Sequence, residues 1–163
     1  MFLSNLLAGG ILLAVGGMAA AEAKGQADFT AGDWVGRVTQ APDGSASFCA
    51  VTKVSRDGSA LILGLSAQNE LEIGVFKVTW QLPVGDPFDL DISVDGETLG
   101  RYRTAAAISK MLRIPLGRND EAYDRLSEGD RLRIAMAQED VRFDLDGAEA
   151  ALSAVRDCFD SSN

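Results

Sequence analysis

Along most of this chain apolar and polar residues alternate, which is the period-2 signature of strands buried on one face. The cleanest case is Phe88-Asp-Leu-Asp-Ile-Ser-Val94, with Phe88, Leu90, Ile92 and Val94 facing one way and Asp89, Asp91 and Ser93 the other. Turn signals divide the rest. The pattern predicts a strand over Trp34 to Thr39, ended by Ala41-Pro42-Asp43-Gly44, and a second over Ser47 to Val54. Arg56-Asp57-Gly58-Ser59 then turns the chain into Ala60 to Ser66, where Leu61-Ile-Leu-Gly-Leu65 is apolar on both faces and predicts a central strand covered on both sides. Leu71 to Leu82 reads as extended up to the stop at Pro83-Val84-Gly85-Asp86-Pro87. Asp95-Gly96 turns the Phe88 strand into Thr98 to Thr104, and a strand pair around Ala106 to Ile114 ends at Pro115-Leu116-Gly117. Arg131 to Met136 and Val141 to Leu145 alternate again.

The period changes twice. Asp120 to Leu126 predicts a turn or two of helix, with Asn119 or Asp120 as cap and Tyr123 and Leu126 facing inward. After the break at Asp146-Gly147, the apolar residues Ala148, Ala151, Leu152, Val155, Cys158 and Phe159 recur at helical spacing, while Glu149, Arg156, Asp157 and Asp160 fall elsewhere on the wheel. Asp146 is a candidate N-cap for this helix, and Glu149 stands where the positive helix end favours an acid. The predicted fold class is mainly β: an antiparallel β-sandwich or bent sheet with one C-terminal amphipathic helix packed on it.

Charge fixes one register in advance. A loop of Asp95-Gly96-Glu97 sets Asp91 opposite Arg101, Asp89 opposite Arg103 and Leu90 opposite Tyr102, whereas a two-residue loop sets Leu90 against Arg101. A one-residue slip moves every side chain to the other face, so charge complementarity selects the first arrangement.

With 163 residues, 47% of them hydrophobic, the chain has the length and apolar content of one domain with a real core. Residues Phe2 to Ala21 carry no charge and resemble a secretory leader, with a short apolar stretch at Leu6 to Val15 and small residues at Ala19 to Ala23, although the usual basic residue at the start is missing. The expected organisation is a leader over residues 1–23, a polar linker over 24–30 and a single β-rich domain over 31–163. The domain is expected in the periplasm or outside the cell, with no stable membrane span after cleavage. Export changes how the two cysteines read: Cys49 and Cys158 should be joined as a disulfide.

Composition closes several function classes. A net charge of −9 argues against nucleic acid as a partner, and the absence of histidine removes Ser-His-Asp and Cys-His catalysis together with His-liganded zinc. No catalytic residue, metal ligand or cofactor is assigned. Asp91-Ile-Ser-Val-Asp-Gly96 resembles half of a calcium loop, but its twelfth position is Tyr102 rather than an acid, and the segment reads as a strand. Asp89 and Asp91 neighbour each other on one strand face, a spacing that a glycosidase could use and that any acidic strand offers. Between Thr98 and Asn119 the charge reverses, with Arg101, Arg103, Lys110, Arg113 and Arg118 and no acid. Arg101, Tyr102, Arg103 and Arg113 are therefore the candidate partner-binding residues, a docking strip for an anionic protein, lipid or glycan. The competing reading pairs these bases with the acidic strand before them. Trp34 and Trp80 read as core residues, with sugar stacking as the alternative.

The order of Gly32-Asp33-Trp34, Ser47-Phe48-Cys49-Ala50, Trp80-Gln-Leu-Pro-Val-Gly85, Val94-Asp-Gly96, Leu126-Ser-Glu-Gly-Asp-Arg-Leu132 and Leu145-Asp-Gly147 with Ala150-Ala-Leu152 resembles the invasion-associated locus B family of small exported alphaproteobacterial proteins. The resemblance spans roughly Phe29 to Phe159. The family's cysteine pattern is not retained: Val38 and Thr39 stand where its early cysteine falls, and Arg103 to Lys110 lacks its central pair. The resemblance implies an all-β exported domain, associated with host-cell entry in some members, and brings no catalytic residues. The expected function is a non-enzymatic interaction domain of the bacterial envelope or cell surface, against an acid-base hydrolase of envelope glycans or a structural periplasmic accessory protein.

Overall fold

The computed structural model describes residues 28–137 and 139–160, so the expected leader and most of the expected linker lie outside the described residues. The strands are β1 (Phe29–Ala31), β2 (Trp34–Gln40), β3 (Ala46–Val54), β4 (Ala60–Ser66), β5 (Leu71–Phe76), β6 (Pro87–Val94), β7 (Glu97–Ile108), β8 (Met111–Gly117), β9 (Arg131–Ala135) and β10 (Asp140–Asp144). Two helices join them, α1 (Asp120–Glu128) and α2 (Ala148–Asp160). The strands form one ten-stranded sheet in the order β1-β2-β3-β4-β5-β8-β7-β6-β9-β10. Every ladder between named strands is antiparallel.

Strand β7 is long enough to serve both halves of the sheet: its first part pairs with β6 and its last part with β8. The sheet bends there and returns the β9–β10 end towards β2, β3 and the end of β5. Lys53 on β3 meets Asp144 on β10, and the Trp34 indole N–H donates to the main-chain oxygen of Asp146 at 3.0 Å. One apolar core fills the bend, drawing Val51, Leu63 and Ile73 from one half and Leu90, Ile92 and Ile134 from the other. Helix α2 closes it by packing on β1 to β4, and α1 packs on α2. Ala148, Ala151, Leu152, Val155 and Cys158 are its buried face, as their spacing requires. Asp146 is not the helix cap that the sequence suggested: α2 begins at Ala148, the carbonyl of Gly147 accepts from the Ala151 N–H at 3.1 Å, and the Asp146 carbonyl is taken by Trp34 and by Lys53 at 2.9 Å. Helix α1 is capped by Asn119, whose side chain accepts from the Ala122 N–H at 2.9 Å, and buries Tyr123 and Leu126.

Several boundaries differ from the sequence reading, each for a local reason. The expected linker over 24–30 ends sooner, because Phe29–Ala31 pairs with β2 and the Phe29 ring occupies the space above Gly36. Strand β5 stops at Phe76 rather than running to Leu82: the Trp80 N–H bonds back to the Lys77 carbonyl, and the turn swings the Trp80 ring into the core. Pro115 lies inside β8, where a register shift opposite Leu71 and Glu72 accommodates it. The interior strand β4 is covered by α2 on one face. On the other, Ile62 is half-buried and the Phe48 ring lies over Gly64, so neighbouring side chains rather than a second layer supply the cover.

The β6–β7 register is the one that charge complementarity selects: Asp91 is opposite Arg101, Asp89 opposite Arg103 and Leu90 opposite Tyr102. The loop that achieves it is different. Only Asp95 and Gly96 turn the chain, with φ of +52° and +87°, the left-handed pair that suits a tight hairpin. Val94 then faces Glu97, and the register is restored by an extra residue, Leu99, between the Ser93–Thr98 and Ile92–Gly100 rungs.

Candidate functional site

The alternation of β7 puts Arg101 and Arg103 on the outward face of the sheet and Tyr102 on the inward face, across from Leu90 and against the core. Tyr102 is thereby separated from the arginines it adjoins in sequence. Arg113, on β8, is exposed as well. Each guanidinium of the expected strip meets a carboxylate. Arg101 grips Asp91 with two bonds of 2.9 and 3.2 Å, Arg113 grips Glu72 with two of 2.7 and 2.9 Å, and Arg103 lies 3.8 Å from Asp89. The hydrogen bonds from Arg101 hold the Asp91 carboxyl below its ordinary range, and Arg101 and Arg113 are raised by the same contacts. Arg118 donates to the Gln68 carbonyl at 2.8 Å. Exposed pairs of this kind contribute little to stability, because water and salt screen them. The strip is a ladder of matched charges on an exposed face.

Asp89 and Asp91, the neighbouring carboxylates that a hydrolase would use, are the partners of Arg103 and Arg101. The half calcium loop is also committed elsewhere, since the Asp95 carboxylate accepts the main-chain N–H groups of Asp130 and Arg131 at 3.0 and 2.9 Å. Among the described residues no group of three or more His, Cys, Asp or Glu is placed to hold a metal ion.

Cys49 and Cys158 are joined, with their Cα atoms 6.5 Å apart, and the bridge ties β3 to the last turns of α2. Trp34 and Trp80 are both buried in the core.

Two surface hollows escaped the sequence reading. One, of about 250 Å³, lies between the 79–83 segment, Phe88 and the β9–β10 turn, with Trp80, Leu82 and Met136 in its wall. Glu139 closes it, accepting from the Trp80 indole at 2.7 Å and from the Lys77 ammonium. Those two bonds, Lys77's the stronger, hold the Glu139 carboxyl below its ordinary value of 4.5. A depressed folded-state pKa stabilises the fold above the ordinary value, and the contribution is lost as pH falls through the lower, folded one. The unfolding midpoint should therefore fall on acidification below about pH 4.5, and Glu139→Gln should flatten that part of the profile. Midpoints followed by circular dichroism from neutral pH down to about pH 3 test this; parallel profiles for the two proteins would refute it.

The second hollow is larger, about 620 Å³, and lies on the outward face of β6, β9 and β10. Arg131, Arg133 and Arg142 line it together with Ser93 and Thr98. The sequence did contain a sign of it, because Arg131-Leu-Arg-Ile134 and Val141-Arg-Phe143 alternate basic with apolar residues. What the sequence alone lacked was the pairing that sets these strands side by side.

Comparison with known proteins agrees with the architecture. No protein-family model matches the chain, and no curated protein sequence does. Among solved structures the match defines a class, a mainly β domain built on a bent antiparallel sheet closed by a C-terminal helix. One structure it matches is invasion associated protein B from Bartonella henselae, with a TM-score of 0.57 at 16% identity, covering 83% of this chain and 98% of that one. The two share a fold. Among the described residues no helix is long and apolar enough to cross a membrane.

Proposed function

We propose that this protein is an exported, non-enzymatic interaction domain of the bacterial envelope or cell surface. The observation that carries this reading is the match to invasion associated protein B over 98% of that chain's length, reached by a sequence with a candidate secretory leader and a disulfide between its two cysteines. Oxidising compartments favour such a bridge. The hydrolase alternative needs a carboxyl held protonated beside a second, ionised one. Its candidate pair instead sits in exposed ion pairs, and the carboxyl groups resolved away from their ordinary values, Asp43, Asp57, Asp91 and Glu139, are all shifted downward.

The matched ladder enters this reading as a surface on which an anionic partner has to displace Asp89, Asp91 and Glu72 from their arginines. Capture of envelope fractions and host-surface material by the purified protein, at low and moderate salt, is the test. Capture through Arg101, Arg103 and Arg113 should weaken steeply with salt, since exposed charges are screened over about 8 Å at physiological ionic strength. Their combined replacement by alanine should abolish it. Salt-insensitive capture that survives this replacement would remove the ladder from the reading, and no capture from any fraction would remove the reading itself. Turnover of an envelope glycan that is lost in Asp89→Asn or Asp91→Asn would establish the hydrolase instead.

A further inference from the structure

One cross-strand row on the outward face differs in character from its neighbours. Thr98 on β7 is opposite Ser93 on β6, Ser93 is opposite Arg133 on β9, and Arg133 is opposite Arg142 on β10. The row thus runs across consecutive strands as hydroxyl, hydroxyl, guanidinium, guanidinium, with no acid in it. The next row, Arg101–Asp91–Ala135–Asp140, sets a base opposite an acid and puts no like charges directly opposite each other. Like charges directly opposite each other destabilise a sheet, so the Arg133–Arg142 rung is a local conflict, of the kind that proteins keep at functional sites.

The groups around the row leave donors unspent. Arg133 and Arg142 share a single oxygen of Asp140, at 2.6 and 3.7 Å, so one carboxylate serves two guanidiniums. Arg131 points to the same face, two residues before Arg133, and among the described residues its side chain has no hydrogen bond or ion pair. The hydroxyls of Ser93 and Thr98 likewise have no partner among the described residues. The acids nearby are largely occupied: Asp91 by Arg101, and Asp95 by the main-chain N–H groups of Asp130 and Arg131. All five donor side chains line the 620 Å³ hollow.

We infer that this hollow binds a phosphorylated sugar, with the phosphate on Arg131, Arg133 and Arg142 and the sugar ring over Ser93 and Thr98. A phosphomonoester is a compact dianion whose separate oxygens can each accept from a different guanidinium, and arginine forks match that geometry. The volume is that of a small-molecule site, several times what a bare phosphate fills. The rim sets the upper limit. Asp91, Asp95 and Asp130 border the hollow and Asp140 flanks it, on a chain of net charge −9, so an extended polyanion laid across this face meets repulsion on both sides of the row. A single charged group on a small polar body avoids it. The inference deepens the reading of the chain as a binding domain by giving it a ligand class.

Glucose 1-phosphate is the probe, titrated into the purified full-length chain by calorimetry and followed in parallel by amide chemical shifts. Saturable binding with Kd below about 1 mM is expected, centred on Ser93, Arg131, Arg133 and Arg142, with no saturation by glucose and weaker binding of inorganic phosphate. Arg131→Ala combined with Arg142→Ala should weaken binding at least about tenfold, and Ser93→Ala severalfold. Arg37→Ala, an exposed arginine on β2, should leave it unchanged. These side chains lie on the surface, and unchanged unfolding midpoints will show that the variants are folded.

Absence of saturation overturns the inference, as does binding that the double variant retains. Equal affinity for glucose, or for inorganic phosphate, also overturns it, since the first would make the phosphate irrelevant and the second the sugar. Tighter binding of a sulfated polysaccharide, lost in the same double variant, would reassign the face to polyanions. Because the titration uses a soluble ligand and no envelope material, its failure leaves the capture experiment standing, and failure of capture leaves the titration standing.

Discussion

Replacing Cys158 with serine should lower the stability of the oxidised protein by about 2–5 kcal/mol, among the largest losses expected from any single substitution in this chain. The bridge closes a separation of 109 residues, and the entropy removed from the unfolded chain grows with the length of the closed loop, reaching about 4–5 kcal/mol at this size. The fold brings the two cysteines together, with their Cα atoms 6.5 Å apart. Cys49 sits fully buried on β3, Cys158 is buried on the apolar face of α2, and the two elements pack on each other. Denaturant titrations of the wild type with and without reductant, and of Cys158→Ser, provide the measurement. Reduction should lower the wild-type midpoint to that of the variant, whose own midpoint should not respond to reductant. Coincident oxidised and reduced curves for the wild type would refute the stabilising role of the bridge.

Trp34→Ala should be about as damaging, with an expected loss of about 3–5 kcal/mol. The Trp34 ring is fully buried and gives the core its bulk where β2 meets the start of α2. Its indole N–H also holds the Asp146 carbonyl at 3.0 Å, and the Lys53 ammonium lies 5.6 Å from the ring centre while reaching the same carbonyl. Truncation therefore opens a cavity and frees the junction between β10 and α2 at the same time. Trp34→Phe separates the contributions: it keeps most of the volume and loses the hydrogen bond, so it should cost roughly 1–2 kcal/mol. Chemical denaturation of both variants decides the matter, and equal losses for the two would show that the lost hydrogen bond outweighs the cavity.

Much of this architecture was legible in the sequence because the signals were local and redundant. The face of α2 followed from the spacing of Ala148, Ala151, Leu152, Val155 and Cys158. The β6–β7 register followed from charge, since Asp89 and Asp91 had to face Arg103 and Arg101, even though a bulge at Leu99 rather than a longer loop produces it. What could not be read depended on contacts remote in sequence. Strand β5 ends early because Trp80 reaches a carboxylate 59 residues away. The candidate site divides in the same way. Arg101 and Arg103 were conspicuous as a run of charge, and the structure gives them partners. The row of Ser93, Thr98, Arg133 and Arg142 draws on four strands, two of which, β9 beside β6 and β10 beside β9, are added only after α1 has intervened.

The position of α2 over β1 to β4 also bears on how the chain comes to be folded as it is made. The earliest strands carry Trp34, Cys49, Val51 and Leu63 on the face that the later strands and, last of all, α2 cover. Strands β2 to β5 can pair by successive hairpins as soon as they emerge, yet that sheet keeps an open apolar side until Ala148–Asp160 has been synthesised. A ribosome that stops short of this helix thus releases a product lacking its lid and the second thiol together. Such a product carries Cys49 unpaired beside uncovered apolar residues, the kind of exposed surface that makes an incomplete fold prone to aggregate.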